Sequence, residues 1–186
     1  MKKLVLIILS LVSTLTFAQT SLDNLVLVEL NRYRQSKGLK PATLDPSAYR
    51  AASHHTLWMS KVGYTNMNQI MSYGNSEGYD SHYETVDVPS FTEISSPDDR
   101  ATKFLAPKNL ESLSEICNMA RATDASNPIV VKNLSEAQLA KSIIEKFSQS
   151  PEHEEELRQP GSTVKAGVSV IVKDGIAYTT IFFFSL

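Results

Sequence analysis

The sequence is short of cysteine, of long apolar runs and of basic charge, and each shortage removes a class of protein. Cys117 is the single cysteine in 186 residues. No internal disulfide is available, and the fold must be held by its hydrophobic core. Apolar residues run together only over residues 4–12, well under the roughly 20 that a membrane-spanning helix takes. Lysine and arginine number 18 against 20 aspartates and glutamates. That balance lacks the excess of basic residues expected of a nucleic-acid binder. There is no internal repeat and no low-complexity tract.

What is present begins with an export signal. Lys2 and Lys3 precede the apolar run, and Thr16-Phe17-Ala18 before Gln19 offers the small residues at which a signal peptidase cuts. Residues 1–18 therefore read as a signal peptide and residues 19–186 as a single domain. With no cysteine near the cleavage point, a lipoprotein anchor is excluded. The expectation is an exported protein, secreted or periplasmic, not lipid-anchored and without a membrane span. Removal of Lys2 and Lys3 leaves 16 basic against 20 acidic residues.

Local patterns then lay out the elements. Leu22, Val26, Leu30 and Tyr33 form a helical stripe over residues 22–37, with Ser21 as cap and Gly38 as terminator. Asp45-Pro46 opens a second helix running to Val62, with Ala48, Ala52, His55 and Met59 inward and Gly63 at its end. Residues 64–109 lose periodicity and read as a long polar loop, broken by a short helix from Pro97 to Phe104. A structureless stretch of that length is more often functional than accidental. Residues 110–119 and 128–132 read as extended. Ser135 and Gln138 form a capping box for a helix carrying Leu139, Ile143 and Phe147. That helix should break near Ser150 and restart with Pro151 as its first residue, turning His153 away from the buried face. Residues 164–172 and 176–184 are strand-like, joined by the hairpin pair Asp174-Gly175. Helices first and an antiparallel hairpin last give an α+β sandwich.

Among the residues able to carry chemistry, His54 and His55 are adjacent on a helix and point apart. His55 reads as a core histidine and His54 as solvated. His82 lies in the polar loop with no packing reason to be there, and His153 stands at the proline break. Glu115, within half-buried LSEICNM, needs a partner if it is inside. Glu152 and the run 154–156 read as a solvated helical face. Three chemistries remain open: a divalent metal such as zinc on two imidazoles and a carboxylate, metal-free proton exchange between histidine and glutamate, and Cys117 as a nucleophile with His153 as base. Cys117 shares a strand face with Glu115, although the bland reading is a small buried hydrophobe.

The order NRYRQSKGLKPATLDPSAYRAASHHTLWM, SH, SEIC, KFSQSPEH, KAGVSVIV resembles the CAP superfamily. These are the SCP-like domains of cysteine-rich secretory proteins, insect antigen 5 and plant pathogenesis-related 1 proteins, and the closer likeness is to short bacterial versions without disulfides. The likeness covers nearly the whole mature chain and rests on Asn31 and Arg34 before Gly38-Leu39, on Leu44-Asp45, and on Ser150-Pro151-Glu152-His153. It implies a three-layer α-β-α sandwich and a cleft with two histidines and one or two glutamates, which binds a divalent metal in some members. His82 matches the first histidine, His153 the second, and Glu115 the glutamate of a Glu-Asn-Ile motif. Ile116 replaces the asparagine, Ser114 the preceding glycine, and Phe147 a tryptophan. Residues 64–80 intervene before His82, and the second glutamate of eukaryotic members falls near Ser150. The expected site is thus His82, Glu115, Ser150 and His153, with His82 and His153 as the metal ligands if zinc is held.

The function expected from this is a secreted, non-catalytic binding module whose His/Glu cleft takes a small apolar, lipid or cell-envelope ligand. The alternative is a metal-assisted, peptidase-like hydrolase using the same cleft, with Glu115 as general base. A third reading makes the domain an adhesion or assembly piece.

Overall fold

The computed structural model describes residues 19–77, 81–84, 96–105, 110–124, 132–161 and 163–186. Residues 1–18, expected to be a signal peptide, and residues 128–131 lie outside them, as does much of the polar loop. The elements run α1 (Ser21–Ser36), β1 (Thr43–Leu44), α2 (Pro46–Val62), α3 (Tyr64–Glu77), α4 (Pro97–Phe104), β2 (Ser112–Arg121), β3 (Thr123–Asp124), β4 (Lys132–Asn133), α5 (Glu136–Ser148), α6 (Pro151–Leu157), β5 (Val164–Lys173) and β6 (Ile176–Ser185). Strands β1-β5-β6-β2 form one sheet, antiparallel except for the β1–β5 pair, and β3 and β4 form a separate two-stranded ribbon.

Alternation along the sheet creates two apolar faces. Val164, Ala166, Val168 and Val170 of β5, with Ala177, Ile181 and Phe183 of β6, pack against Val26 and Leu30 of α1 and Ile143 and Phe147 of α5. Tyr178 and Ile176 on the opposite face meet Trp58, Met59 and Met67, while Phe182 and Phe184 meet Ala48, Ala51, Ala52 and Ala101. The result is the expected three-layer sandwich, with α1, α5 and α6 on one side of the sheet and α2, α3 and α4 on the other. Small residues bring α2 against β5. A Cβ on Gly167 would lie 2.0 Å from the Ala48 carbonyl carbon and 2.0 Å from the Tyr49 nitrogen, so only glycine permits this approach.

Local signals account for most boundaries. Asp45 accepts from the Ser47 and Ala48 amides, and Pro46 fills the first position of α2. The β5–β6 turn places Asp174 and Gly175 at φ 52° and 73°, the left-handed pair that a type I′ hairpin requires. The cap of α1 is Thr20 rather than Ser21: Thr20 and Asp23 exchange backbone–side-chain bonds, and Asp23 also accepts from the Val170 amide at 2.7 Å. Because Asp23 is buried, that bond ties the start of α1 to the middle of the sheet.

One expected loop is largely a helix at its start. Residues 64–77 form α3, with the Met67 amide bonded to the Gly63 carbonyl. Met67 is fully buried beneath Trp58 and Met59. The Ser, Asn and Gly content of this segment argues against a helix, and tertiary burial of Met67 overrides it.

Candidate functional site

The site is built where the α2-facing side of β2 meets α2, α4 and residues 81–84. In β2, Glu115, Cys117 and Met119 face α2 while Ile116, Asn118 and Ala120 face α5, and Glu115 and Cys117 stand opposite Phe182 and Thr180 of β6. Glu115 is therefore inside, with a side chain excluded from solvent. A carboxylate so placed requires partners, and it has them. Arg100 of α4 donates from Nε to Glu115 Oε2 at 2.9 Å and from Nη2 to Oε1 at 2.6 Å, and His82 Nδ1 lies 3.0 Å from Oε1.

Arg100 reaches further. Its Nη1 donates to Glu84 Oε1 at 3.0 Å and its Nη2 to the His82 carbonyl at 2.8 Å. One buried guanidinium thus clamps two carboxylates and the backbone of residues 81–84. The same Glu84 oxygen lies 3.2 Å from Nδ1 of both His54 and His55. This corrects the expectation for the histidine pair. They converge on one atom, since Glu84 enters from outside the helix and sits between two successive side chains. His54 is only 16% exposed rather than solvated. His55 is fully buried, stacked on Trp58 at 5.4 Å, with Nε2 3.0 Å from the Ser81 carbonyl.

Cys117 completes the inner shell. Its Sγ lies 3.3 Å from Ser81 Oγ and 3.9 Å from His82 Nδ1. Burial pushes the thiol pKa up, but His82 and His55 outweigh it and bring it down to about 5. Burial by itself would depress the His82 pKa; Cys117 and Glu115 instead raise it to about 11. The Glu115 pKa, which burial raises, is drawn down to about 2 by His55, Arg100 and His82. The cluster sets the carboxylates of Glu84 and Glu115 and the Cys117 thiol against Arg100 and His82, and Glu115 raises the His55 pKa against the opposing effect of burial.

The structure brings together His82 and Glu115 of the expected set and places the other two beside or beyond them. His153 lies on α6, half-buried, with its ring edge-on to Phe147 at 5.3 Å. It does not turn away from the buried face: the proline break at Pro151 folds α6 back over Phe147. Burial lowers its pKa, with Cys117 pulling it up and His82 pushing it down, so it stands at the rim of the cluster. Ser150 is the N-cap of α6 and makes no side-chain cap bond. The imidazoles beside Cys117 are His82 and His55, so the thiol has a nearer base than His153.

Sequence reasoning missed Glu84 and Arg100. Glu84 follows His82 by two residues in the polar loop, where a second carboxylate near a suspect histidine was a usable signal. Nothing local marks Arg100, because its burial follows from how α4 docks. Two other motif residues prove to be structural. Asn31 exchanges bonds with the Ala42 amide and carbonyl, and Arg34, fully buried, donates to the carbonyls of Lys40, Leu157 and Gln159.

The donor set does not suit a divalent cation. Arg100 and His82 occupy the lone pairs of Glu115 that a metal would need, and the cation position between the two carboxylates is filled by a guanidinium. Among the described residues, no three His, Cys, Asp or Glu side chains are arranged to hold a metal ion. Glu115 is also a poor general base with its pKa held near 2. Two open grooves lie elsewhere, one around Tyr64, Arg121, Asp174 and Tyr178 and one around Leu39, Pro151, Glu154 and Arg158. No helix among the described residues is long and apolar enough to cross a membrane.

Comparison with known proteins agrees with this architecture. An outer surface protein of Borrelia burgdorferi superposes with a TM-score of 0.51 at 14% identity, over 90% of this chain and 95% of that one. An extracellular protein containing an SCP domain from Bacillus anthracis superposes with a TM-score of 0.50 at 17% identity, over 89% of this chain and 40% of that one. At such identities the likeness shows the fold. No curated protein matches the chain in sequence. The model of the CAP family, the cysteine-rich secretory protein family, matches residues 27–184, and the chain belongs to that family.

Proposed function

We propose that this protein is an exported, non-catalytic binding module that takes a small apolar, lipid or cell-envelope ligand at the rim of the His/Glu cleft. The observation that carries this reading is the mutual commitment of the interior groups. Arg100 and His82 are bound to Glu84 and Glu115 in a buried network that holds the Glu115 pKa near 2 and leaves that carboxylate a weak base. The groups that reach the surface are His82, one-fifth exposed, the neighbouring Tyr83, 43% exposed, and half-buried His153. A cationic imidazole beside an exposed aromatic ring suits a ligand with an anionic group and an apolar body. The network fixes His82 in its charged form, so the rim is preorganised before the ligand arrives.

The test is extraction of the mature protein, purified without detergent, followed by mass spectrometry of what it carries. The expected result is a small amphiphile or envelope fragment retained by the native protein and depleted from His82→Gln and His153→Ala. Retention of the same compounds by all three proteins would move the binding surface away from this rim.

A further inference from the structure

We propose that Cys117 is a peroxide-reactive thiol, placed among Ser81, His82 and Thr180 so that hydrogen peroxide oxidises it to the sulfenic acid. A cysteine that merely fills space as a small hydrophobe has apolar neighbours, and this one does not. Sγ lies 3.3 Å from Ser81 Oγ, 3.8 Å from the Ser81 carbonyl oxygen and 3.9 Å from His82 Nδ1. Thr180 supplies an independent observation. It stands directly opposite Cys117 in the β2–β6 register, so the two side chains project from one face of the sheet with their Cβ atoms about 5 Å apart. Thr180 is fully buried, yet its Oγ1 has no hydrogen-bond partner among the described residues. A buried hydroxyl left unpaired is costly. Beside a nucleophilic sulfur it is a donor held ready for a small polar guest.

Size selects the oxidant. Cys117 is 1% exposed, which keeps bulky electrophiles off the sulfur. Its neighbours Ser81 and His82 are both partly exposed, so the sulfur lies one side chain beneath the surface, within reach of a molecule little larger than water. Burial raises the thiol pKa, and His82 with His55 outweighs it and brings it down to about 5, so the attacking species is the thiolate. Sγ attacks one oxygen of hydrogen peroxide, and the S–O bond forms as the O–O bond breaks. Thr180 Oγ1 donates to the bound peroxide. Sulfur gives up two electrons to the peroxide, and the departing hydroxide takes a proton from His82 and leaves as water. Cys117 is left as a sulfenic acid, the first and reversible step of cysteine oxidation. The chain has no second cysteine to condense with it. Reduction therefore falls to an external thiol: two thiols restore Cys117, becoming a disulfide and releasing water.

The experiment uses residues 19–186 and hydrogen peroxide. After timed exposure the peroxide is removed by rapid desalting, the chain is unfolded in guanidinium, and the surviving thiol is counted with a chromogenic disulfide. At pH 6 the folded protein should lose its thiol on the order of 10-fold faster than the same chain exposed while unfolded, its larger thiolate fraction being partly offset by lower nucleophilicity. Its rate should stay flat between pH 6 and pH 8, where that of the unfolded chain climbs about tenfold per unit. Early loss should be reversed by dithiothreitol, as a sulfenic acid is and a sulfinic acid is not. Thr180→Val keeps the side-chain shape, removes the orphaned hydroxyl, and should fold and slow the reaction by roughly 10-fold with the pH profile unchanged. His82→Gln should be slower and regain a rate that rises with pH; should it not fold, Thr180→Val decides. Slower loss from the folded than the unfolded chain at pH 6, a folded rate climbing tenfold per unit, irreversible early loss, or an unchanged rate in Thr180→Val would each overturn the proposal. None of these outcomes depends on which ligand the rim takes, so the extraction experiment stands or falls separately.

Discussion

Replacing Glu115 with glutamine tests how much the buried network contributes, because the two side chains have nearly the same shape and differ in charge. In the native protein the carboxylate, itself out of solvent, accepts two bonds from Arg100 and faces His82. Its pKa falls from 4.5 to about 2, which at 1.36 kcal/mol per unit corresponds to about 3 kcal/mol of stability. The Glu115 value sets this magnitude, since the rise at His82 also carries the influence of Cys117 and its ring is partly exposed. Removing one partner of a buried ion pair leaves the other uncompensated and costs about 3–5 kcal/mol. For a domain of this size that lowers the melting temperature by about 6–20 °C. The pH dependence gives an independent check. A carboxyl whose folded pKa lies below its unfolded value contributes stability fully above pH 4.5 and loses it as the pH falls towards about 2. Urea unfolding between pH 7 and pH 2 should therefore show the native protein losing this increment on acidification while Glu115→Gln does not, so that the two curves converge. A loss under about 1 kcal/mol at neutral pH, or an unchanged acid slope in the variant, would refute the reasoning.

Other perturbations follow from the packing. Gly167→Ala should destabilise by about 3 kcal/mol or more in chemical denaturation, because its Cβ would fall 2.0 Å from the α2 backbone and the helix must shift. Arg34→Met removes donors from the carbonyls of Lys40, Leu157 and Gln159; a loss of at least about 3 kcal/mol is expected, with faster amide exchange around residues 157–159. The Cys117 thiol should ionise with a midpoint near 5, read from thiolate ultraviolet absorbance. That midpoint should rise in His82→Gln, and an unshifted thiol in the native protein would contradict the Cys117–His82 pairing.

The parts of the fold legible in the sequence are those whose cause is local. Asp45-Pro46 opens α2 and Ser135 with Gln138 caps α5, Asp174-Gly175 turns the hairpin, and Pro151 starts α6, each through bonds or steric limits within a few residues. The helix α3 was not legible, because Gly63 reads as an ending and its second role, as acceptor for the Met67 amide, depends on a turn that only the buried Met67 stabilises.

In the site, Glu115 and His82 were legible through the resemblance and through the cost of burying a carboxylate. Arg100 and Glu84 were not, since pairing between residues of separate segments is set by topology. The expectation that His54 and His55 point apart failed for the same reason. It considers the helix alone, and Glu84 arrives from elsewhere to lie between His54 and His55.

The central claim is that His82 is held as a cation by a network of buried charges, and the direct measurement is an imidazole nitrogen NMR titration of residues 19–186. The account predicts that His82 remains doubly protonated through neutral and mildly alkaline pH, with a midpoint near 11, and that Glu115→Gln brings this midpoint sharply down. A His82 midpoint near the ordinary 6.5 in the native protein would show that the network does not exist in solution as described.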